Sequence, residues 1–444
     1  MKKDLTNGRI ITSLLSFSAP MILGNLLQQV YNIADTFIVG RYLGENALAA
    51  VGSTYTLTTF LYSIIIGLCM GSGSLVSYYF GQKNEKRLKS ALNISFAIIG
   101  VVTLVTEVVT IYFSGGILKL LKTPAKIMSL TSDYVGIILS GIVFVFLYNF
   151  YSFMLRGLGN SLTPLIFLGS SSVMNIVLDV IFVAYMGMGV SGAAYATVIA
   201  QALSGIGLCV YTVANEPALR FSFGKGSFKG CSLGEVIRMS GAASVQQSVM
   251  NFGILMIQGL VNSFGTTVMA AFTIAVKIDT VAYMHAQEFG NAFSLFISQN
   301  FGAKKYDRIK SCVKYSCAVS AIFCAAVSFF VAVFSDKLMG LFVKGDQGEI
   351  VAIGARYLVT EGSFYVGIGV LFLLYGYYRG INRPEMSLVL TVISLGTRVV
   401  LAYILSGFAA VGVFGIWISI PIGWLLADIV GIAYMRKKAY DLDV

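Results

Sequence analysis

The residues able to do chemistry in this 444-residue sequence are few and oddly placed. Asp35 lies in "QQVYNIADTFIVG" (28–40), and Asn175 and Asp179 lie in "VMNIVLDVIF" (173–182). Both stretches sit inside long apolar runs, where a carboxylate facing lipid is costly and so needs a partner or a task. Asn25, Gln28, Asn32 and Asp35 are spaced three, four and three residues apart, which puts them on one helix face. Asn175 and Asp179 are four apart and share another face, and Thr197 in "AAYATVIAQ" adds a hydroxyl. Two carboxylates, an amide and a hydroxyl are hard oxygen donors that suit a small cation such as Na⁺. Two carboxylates held close also suit H⁺, because like charges side by side favour sharing one proton.

The elements that must position these groups are membrane helices. The chain is 57% hydrophobic and only 11% charged, with a mean hydropathy of +0.82, against about 25% charged residues in a soluble domain. A bilayer core of about 30 Å takes about 20 helical residues. That length gives twelve spans: 14–39, 47–78, 91–113, 132–155, 163–186, 190–212, 237–262, 268–298, 314–335, 355–378, 386–407 and 411–434. With both termini inside, 22 of the 31 basic residues fall on the cytoplasmic side, the bias expected of short cytoplasmic loops. The net charge of +11 therefore faces anionic headgroups, and no nucleic-acid partner is expected. A rise of about 1.5 Å per residue places Asp35 roughly 7 Å, Thr197 roughly 10 Å and Asp179 roughly 12 Å below the outer surface.

The chain also repeats itself. "FGQKNEKRLKSA" (80–91) matches "FGAKKYDRIKSC" (301–312), and "LGENALAA" (43–50) matches "FGTTVMAA" (264–271), both at an offset of 221. "LRGLGN" (155–160) matches "YRGINR" (378–383), and "GVSG" (189–192) matches "GVFG" (412–415), both at 223. The expected fold is an all-α polytopic membrane protein of twelve transmembrane helices. Its two six-helix lobes are related by a pseudo-twofold axis along the membrane normal, as in transporters built from parallel repeats. The expected boundaries are 1–213 for the first lobe, 214–236 for a cytoplasmic linker and 237–444 for the second lobe.

The second half is polar in a different way. Gln247, Asn251, Gln258 and Asn262 form a stripe without an acid in span seven, and span eight carries Lys277, Asp279, His285 and Glu288. His285 and Glu288 are three apart, a spacing that allows a proton relay or a structural pair. Arg398 falls where the repeat places Asn175 and has Glu288, Asp279 or Glu361 as candidate counter-ions; Glu107 and Asp428 are single acids. Pro20, fifteen residues before Asp35, removes one backbone hydrogen bond and permits a bend in span one. Asn25, Gln28 and Asn32 also read as helix–helix glue. With one histidine and six cysteines lacking any CxxC pair, a histidine-built metal site or a triad is not expected.

These features together resemble the multidrug and toxic compound extrusion (MATE) family. The likeness is carried by Pro20 then "NIADTFIVG" in span one, "GQKN" and a following Arg after span two, "RGLGNSLTP" after span four and "SQNFGAKK" after span eight. The resemblance implies a cation-coupling site for H⁺ or Na⁺ at Asp35, Asn175, Asp179 and Thr197, with the backbone carbonyl of Ala193 beside it and Pro20 as the bend of helix one. It implies a non-enzymatic antiporter of the cell membrane that exports small organic cations or amphipathic drugs by alternating access. Gln28, Asn32, Gln247, Asn251, Gln258, Asp279, His285, Glu288 and Arg398 are secondary polar or cavity candidates. No cofactor beyond the coupling ion is expected, and a monomer is expected. The rival reading is a lipid-linked oligosaccharide flippase of the same superfamily, which Lys277 and Arg398 keep open. An intramembrane aspartyl protease could use two aspartates, but that family's motifs are absent.

Overall fold

The computed structural model describes residues 4–120, 123–221, 230–343 and 348–438. Among the described residues there is no strand, and fourteen α-helices account for almost the whole chain. The first seven are α1 (Ile10–Leu43), α2 (Glu45–Gly81), α3 (Glu85–Leu120), α4 (Met128–Leu139), α5 (Ile142–Gly157), α6 (Leu162–Asp179) and α7 (Gly189–Asn215). The second seven are α8 (Leu233–Asn262), α9 (Thr266–Gly302), α10 (Tyr306–Gly340), α11 (Gly348–Gly362), α12 (Tyr365–Gly380), α13 (Pro384–Ser406) and α14 (Phe414–Lys438). Among the described residues, nine helices are long and apolar enough to cross a bilayer singly. The pairs α4–α5 and α11–α12 add two spans, bent by 42° and 52°. At 30 residues α8 has the length for the twelfth, its hydropathy lowered by Gln246, Gln247, Asn251, Gln258 and Asn262. The chain is an all-α, multi-pass membrane protein.

The two bends fall within the fourth and tenth expected spans, 132–155 and 355–378. Each break is a tight turn that replaces α-helical bonding. Gly141 N–H donates to the Ile138 carbonyl at 3.1 Å, and Phe364 N–H to the Glu361 carbonyl at 3.0 Å. Neither break contains proline, but each holds a Gly/Ser pair, Ser140-Gly141 and Gly362-Ser363, a recognised site of helix kinking. Gly141 also has a packing reason, since a Cβ at that position would lie 2.8 Å from Val198 on α7.

Duplication is written into the backbone. Left-handed conformations occur at Gly44 and Gly265, Lys83 and Lys304, Gly159 and Asn382, and Gly189 and Gly412. Each pair is separated by 221 or 223 residues, the offsets of the sequence repeats. Three of these eight positions lack glycine, so a rarely populated conformation recurs at matched places because the same turn does.

The chain divides into two compact units, one built on Ala19–Gln247 and the other on Thr6–Ser18 with Ser248–Val444. The division runs within α1 and α8, beside Pro20 and at Gln247; of the expected 214–236 linker, residues 222–229 lie outside those described. In the first unit, the N–H groups of Gly230 and Cys231 donate to Ser90 Oγ at 3.1 and 3.0 Å, just before α8 begins. Tyr79 donates its hydroxyl hydrogen to Cys231 Sγ at 3.6 Å, and burial pushes that thiol up to about 11. In the second unit, Lys305 Nζ donates to the Thr6 carbonyl at 2.8 Å. Arg308 donates there to the carbonyls of Gly8 and Asn7 at 2.6 and 2.8 Å. Arg308→Ala removes charge-assisted bonds worth on the order of 1 kcal/mol at this exposed site. Amide exchange in the first turn of α1 is expected to speed up about fivefold, as read by hydrogen-exchange mass spectrometry.

Candidate functional site

Within the first unit, α1 and α6 bring the two aspartates together. Asp179 is the last residue of α6, is 0% exposed, and is followed at once by a π-helical turn, Val180–Tyr185. A π turn shifts the backbone register and frees carbonyl groups from regular bonding, and such turns recur at functional sites. The Asp35 carboxyl faces that of Asp179 within hydrogen-bond reach. No donor reaches either Asp179 oxygen or Asp35 Oδ1, because both partners are acceptors unless a proton or cation lies between them. Asn175, one turn before Asp179, donates from Nδ2 to Thr197 Oγ1 on α7 at 3.4 Å and leaves its own Oδ1 without a partner. Ala193, one turn before Thr197, is fully buried.

The result is an acceptor-rich set: Asp35 Oδ1, both oxygens of Asp179 and Asn175 Oδ1 are all buried without a hydrogen-bond donor. Unsatisfied buried acceptors are costly, and a small cation would answer all of them at once. Among the described residues no group of three or more His, Cys, Asp or Glu is arranged to hold a metal ion. The acceptors of this set are two carboxylates and a neutral amide oxygen, all hard oxygen donors.

Three tyrosines complete the surroundings and escaped the sequence reading. Tyr31 and Tyr134 lie within electrostatic reach of Asp35, Tyr134 also of Asp179, and Tyr62 within reach of both tyrosines. Tyr31 pairs with the Gln28 amide and Tyr62 with that of Gln201. Only Tyr31 carried a signal, being one helical turn before Asp35. Gln28 itself is exposed, and the Asn32 carbonyl accepts the Thr36 hydroxyl at 2.8 Å. Pro20 lies in an uninterrupted α1, fifteen residues from Asp35.

The remaining candidates separate into distinct places in the second unit. His285 and Glu288 do not pair. The His285 ring lies against Phe323, with centroids 5.8 Å apart and Nδ1 lacking a partner. Glu288 accepts from Asn291 Nδ2 at 3.1 Å, and Arg379 bonds Asn291 Oδ1 at 3.0 Å and Ser294 Oγ at 3.1 Å. Gln258 donates to Asn262 at 2.9 Å, Asn251 is half-buried and Lys277 is exposed. Asp279 accepts from the Tyr365 hydroxyl at 2.6 Å and lies in the electrostatic field of Glu361 and Arg398. Two of the three counter-ions that the sequence offers Arg398, Asp279 and Glu361, thus lie within its electrostatic reach. Gln247, in contrast, is a half-buried residue at the end of the first unit.

A duplicated bundle of membrane helices carrying ionisable groups at its core defines a protein of the transporter class. The chain belongs to the MatE family, whose profile matches it twice, over residues 20–181 and 242–404. It is similar to the probable multidrug resistance protein YpnP of Bacillus subtilis, 30% identical over 98% of this chain and 96% of that one. It is also similar to the probable multidrug resistance protein YoeA of the same organism, 28% identical over 92% and 90%. Among solved structures, MATE in complex with MaL6 superposes with a TM-score of 0.91, at 23% identity over 99% of this chain and 98% of that one. An outward-facing multidrug resistance MATE family transporter gives 0.90, also at 23% identity over 99% and 98%. These structural likenesses concern the fold.

Proposed function

We propose that the chain is a cation-coupled antiporter that exports amphipathic or cationic organic compounds by alternating access, with H⁺ or Na⁺ as the coupling ion. The observation that carries this reading is the Asp35–Asp179 pair: two carboxyls from different helices face each other in an apolar bundle, and no donor reaches the oxygens between them. With no ion the pair repels, and with a proton or Na⁺ it draws α1 toward α6. An ion can shift a conformational equilibrium only by binding one state better than the other, and closure of this pair supplies that difference. Pro20 gives α1 a place to yield during the change, because Pro lacks the N–H that would bond the preceding turn. The names of the Bacillus relatives support drug export as the transported class. The basic-residue bias supports cytoplasmic termini in the cell membrane.

Reconstituted protein should export a cationic dye when a pH or Na⁺ gradient is imposed across the liposome membrane. Asp35→Asn should not respond to either gradient. Export by Asp35→Asn at the parent rate would sink the coupling role, and export driven by Na⁺ alone would remove the proton version.

A further inference from the structure

Applying the repeat offsets confirmed by the left-handed turns, the second-unit positions matching Asp35, Asn175, Asp179 and Thr197 are Met256, Arg398, Ala402 and Ile420. None is an acid, and the amide has become a guanidinium. Acids instead approach that guanidinium from other helices, Asp279 from α9 and Glu361 from α11. All three groups are deeply buried, at 3%, 2% and 9% exposure for Asp279, Glu361 and Arg398. Tyr365 satisfies Asp279, while Glu361 Oε2 and Arg398 Nε reach no hydrogen-bond partner. Tyr283 and Tyr357 border the same acids, and Trp417 stands edge-on to Tyr357 with ring centroids 5.0 Å apart.

Buried carboxylates need a nearby positive charge. In the first unit that charge would come from solution; in the second it is already part of the chain. A free cation approaching Asp279 and Glu361 would enter the field of the guanidinium with little water to screen it. We propose that Arg398 is a tethered counter-cation that closes the second unit to coupling ions, so that exchange runs on the first unit's site alone. The proposal rests on the Asp35–Asp179 site being the coupling site, and it assigns Arg398 the role of setting ion stoichiometry.

Two measurements test it: the ion-to-dye ratio from reversal potentials in proteoliposomes, and the thermal unfolding midpoint in sodium or guanidinium chloride against choline chloride. The parent and Arg398→Lys should move one ion per dye. Arg398→Asn, which installs the residue found at position 175, should move a second ion. In an Asp35→Asn background its midpoint should rise with sodium or guanidinium but not with choline, whereas Asp35→Asn alone should show no such rise. A variant that folds only when guanidinium is supplied during purification would support the same assignment. An unchanged ion ratio with an unmoved midpoint, a second ion in Arg398→Lys, or failure to fold even with guanidinium would each overturn it. Failure of the first-unit reading appears separately, as an Asp35→Asn protein that still couples while Arg398 is intact.

Discussion

Asp35→Asn, Asp179→Asn and the double variant are expected to lose gradient-driven dye export to the same floor. The loss should be about 100-fold, the effect of removing about 2.7 kcal/mol of coupling free energy. The equality of the three is the informative part. Asp35 and Asp179 face each other, and the donor-free oxygens between them form one acceptor set. If one ion binds both carboxyls, removing either destroys the whole site and the second substitution has nothing left to remove. Groups acting on one ion are strongly non-additive, whereas two independent sites would add their losses. Asparagine keeps the shape and one acceptor oxygen of aspartate, so the fold should survive, and relief of like-charge repulsion should leave thermal stability unchanged or slightly raised. Dye flux under a fixed gradient, measured for all three variants, reads the result. Twofold losses in the single variants that multiply in the double one would mean that each carboxyl serves a separate role.

The legible parts of this site and the hidden parts differ for physical reasons. Asp35 and Asp179 stood out because lipid makes any buried acid expensive, so the sequence marks it against an apolar run. Helical spacing then placed Asn175 on the face of Asp179, and depth arithmetic brought Thr197 level with them; the structure joins Asn175 and Thr197. Spans were legible because bilayer thickness fixes their length, and the duplication because turn residues recur at two nearly equal offsets, 221 and 223. Tyr62 and Tyr134 were not legible, because a tyrosine in an apolar helix carries no energetic mark among 24 of its kind. Glu361 was legible only in part. The sequence offered it as one of three partners for Arg398, and the 52° bend between α11 and α12, which sets it at the turn and buried as Asp279 is, had no part in that reading. His285 and Glu288 show the limit of spacing alone, since an i, i+3 pair shares a helix face and Asn291 still supplied the bond to Glu288.

Gly71→Ala should cost more folded protein than any change at the Asp35–Asp179 pair. Gly67 and Gly71 lie one turn apart on α2, and α8 crosses them with backbone against backbone. A Cβ on Gly71 would stand 2.3 Å from the Met239 carbonyl oxygen and one on Gly67 2.4 Å from Ser244 Cα, distances that no rotamer change relieves. The helices would have to part. Parting also breaks the Ser72–Ser240 hydroxyl pair at 2.7 Å and the bond from Ser244 Oγ to the Ile64 carbonyl at 2.9 Å. Membrane helices associate through such small-residue contacts and interhelical hydrogen bonds, because lipid tails leave no hydrophobic gain to compensate. The combined cost is at least about 3 kcal/mol, a large part of typical protein stability. Gly52 on the same helix supplies the control, with nothing within 4 Å of its added Cβ. Gly52→Ala should leave the melting temperature unchanged or raise it slightly, by up to about 1 kcal/mol of helix propensity. Monodisperse yield and melting temperature in detergent for the two variants decide the matter. A Gly71→Ala protein with the yield and melting temperature of Gly52→Ala would show that α2 and α8 do not cross this closely in the membrane.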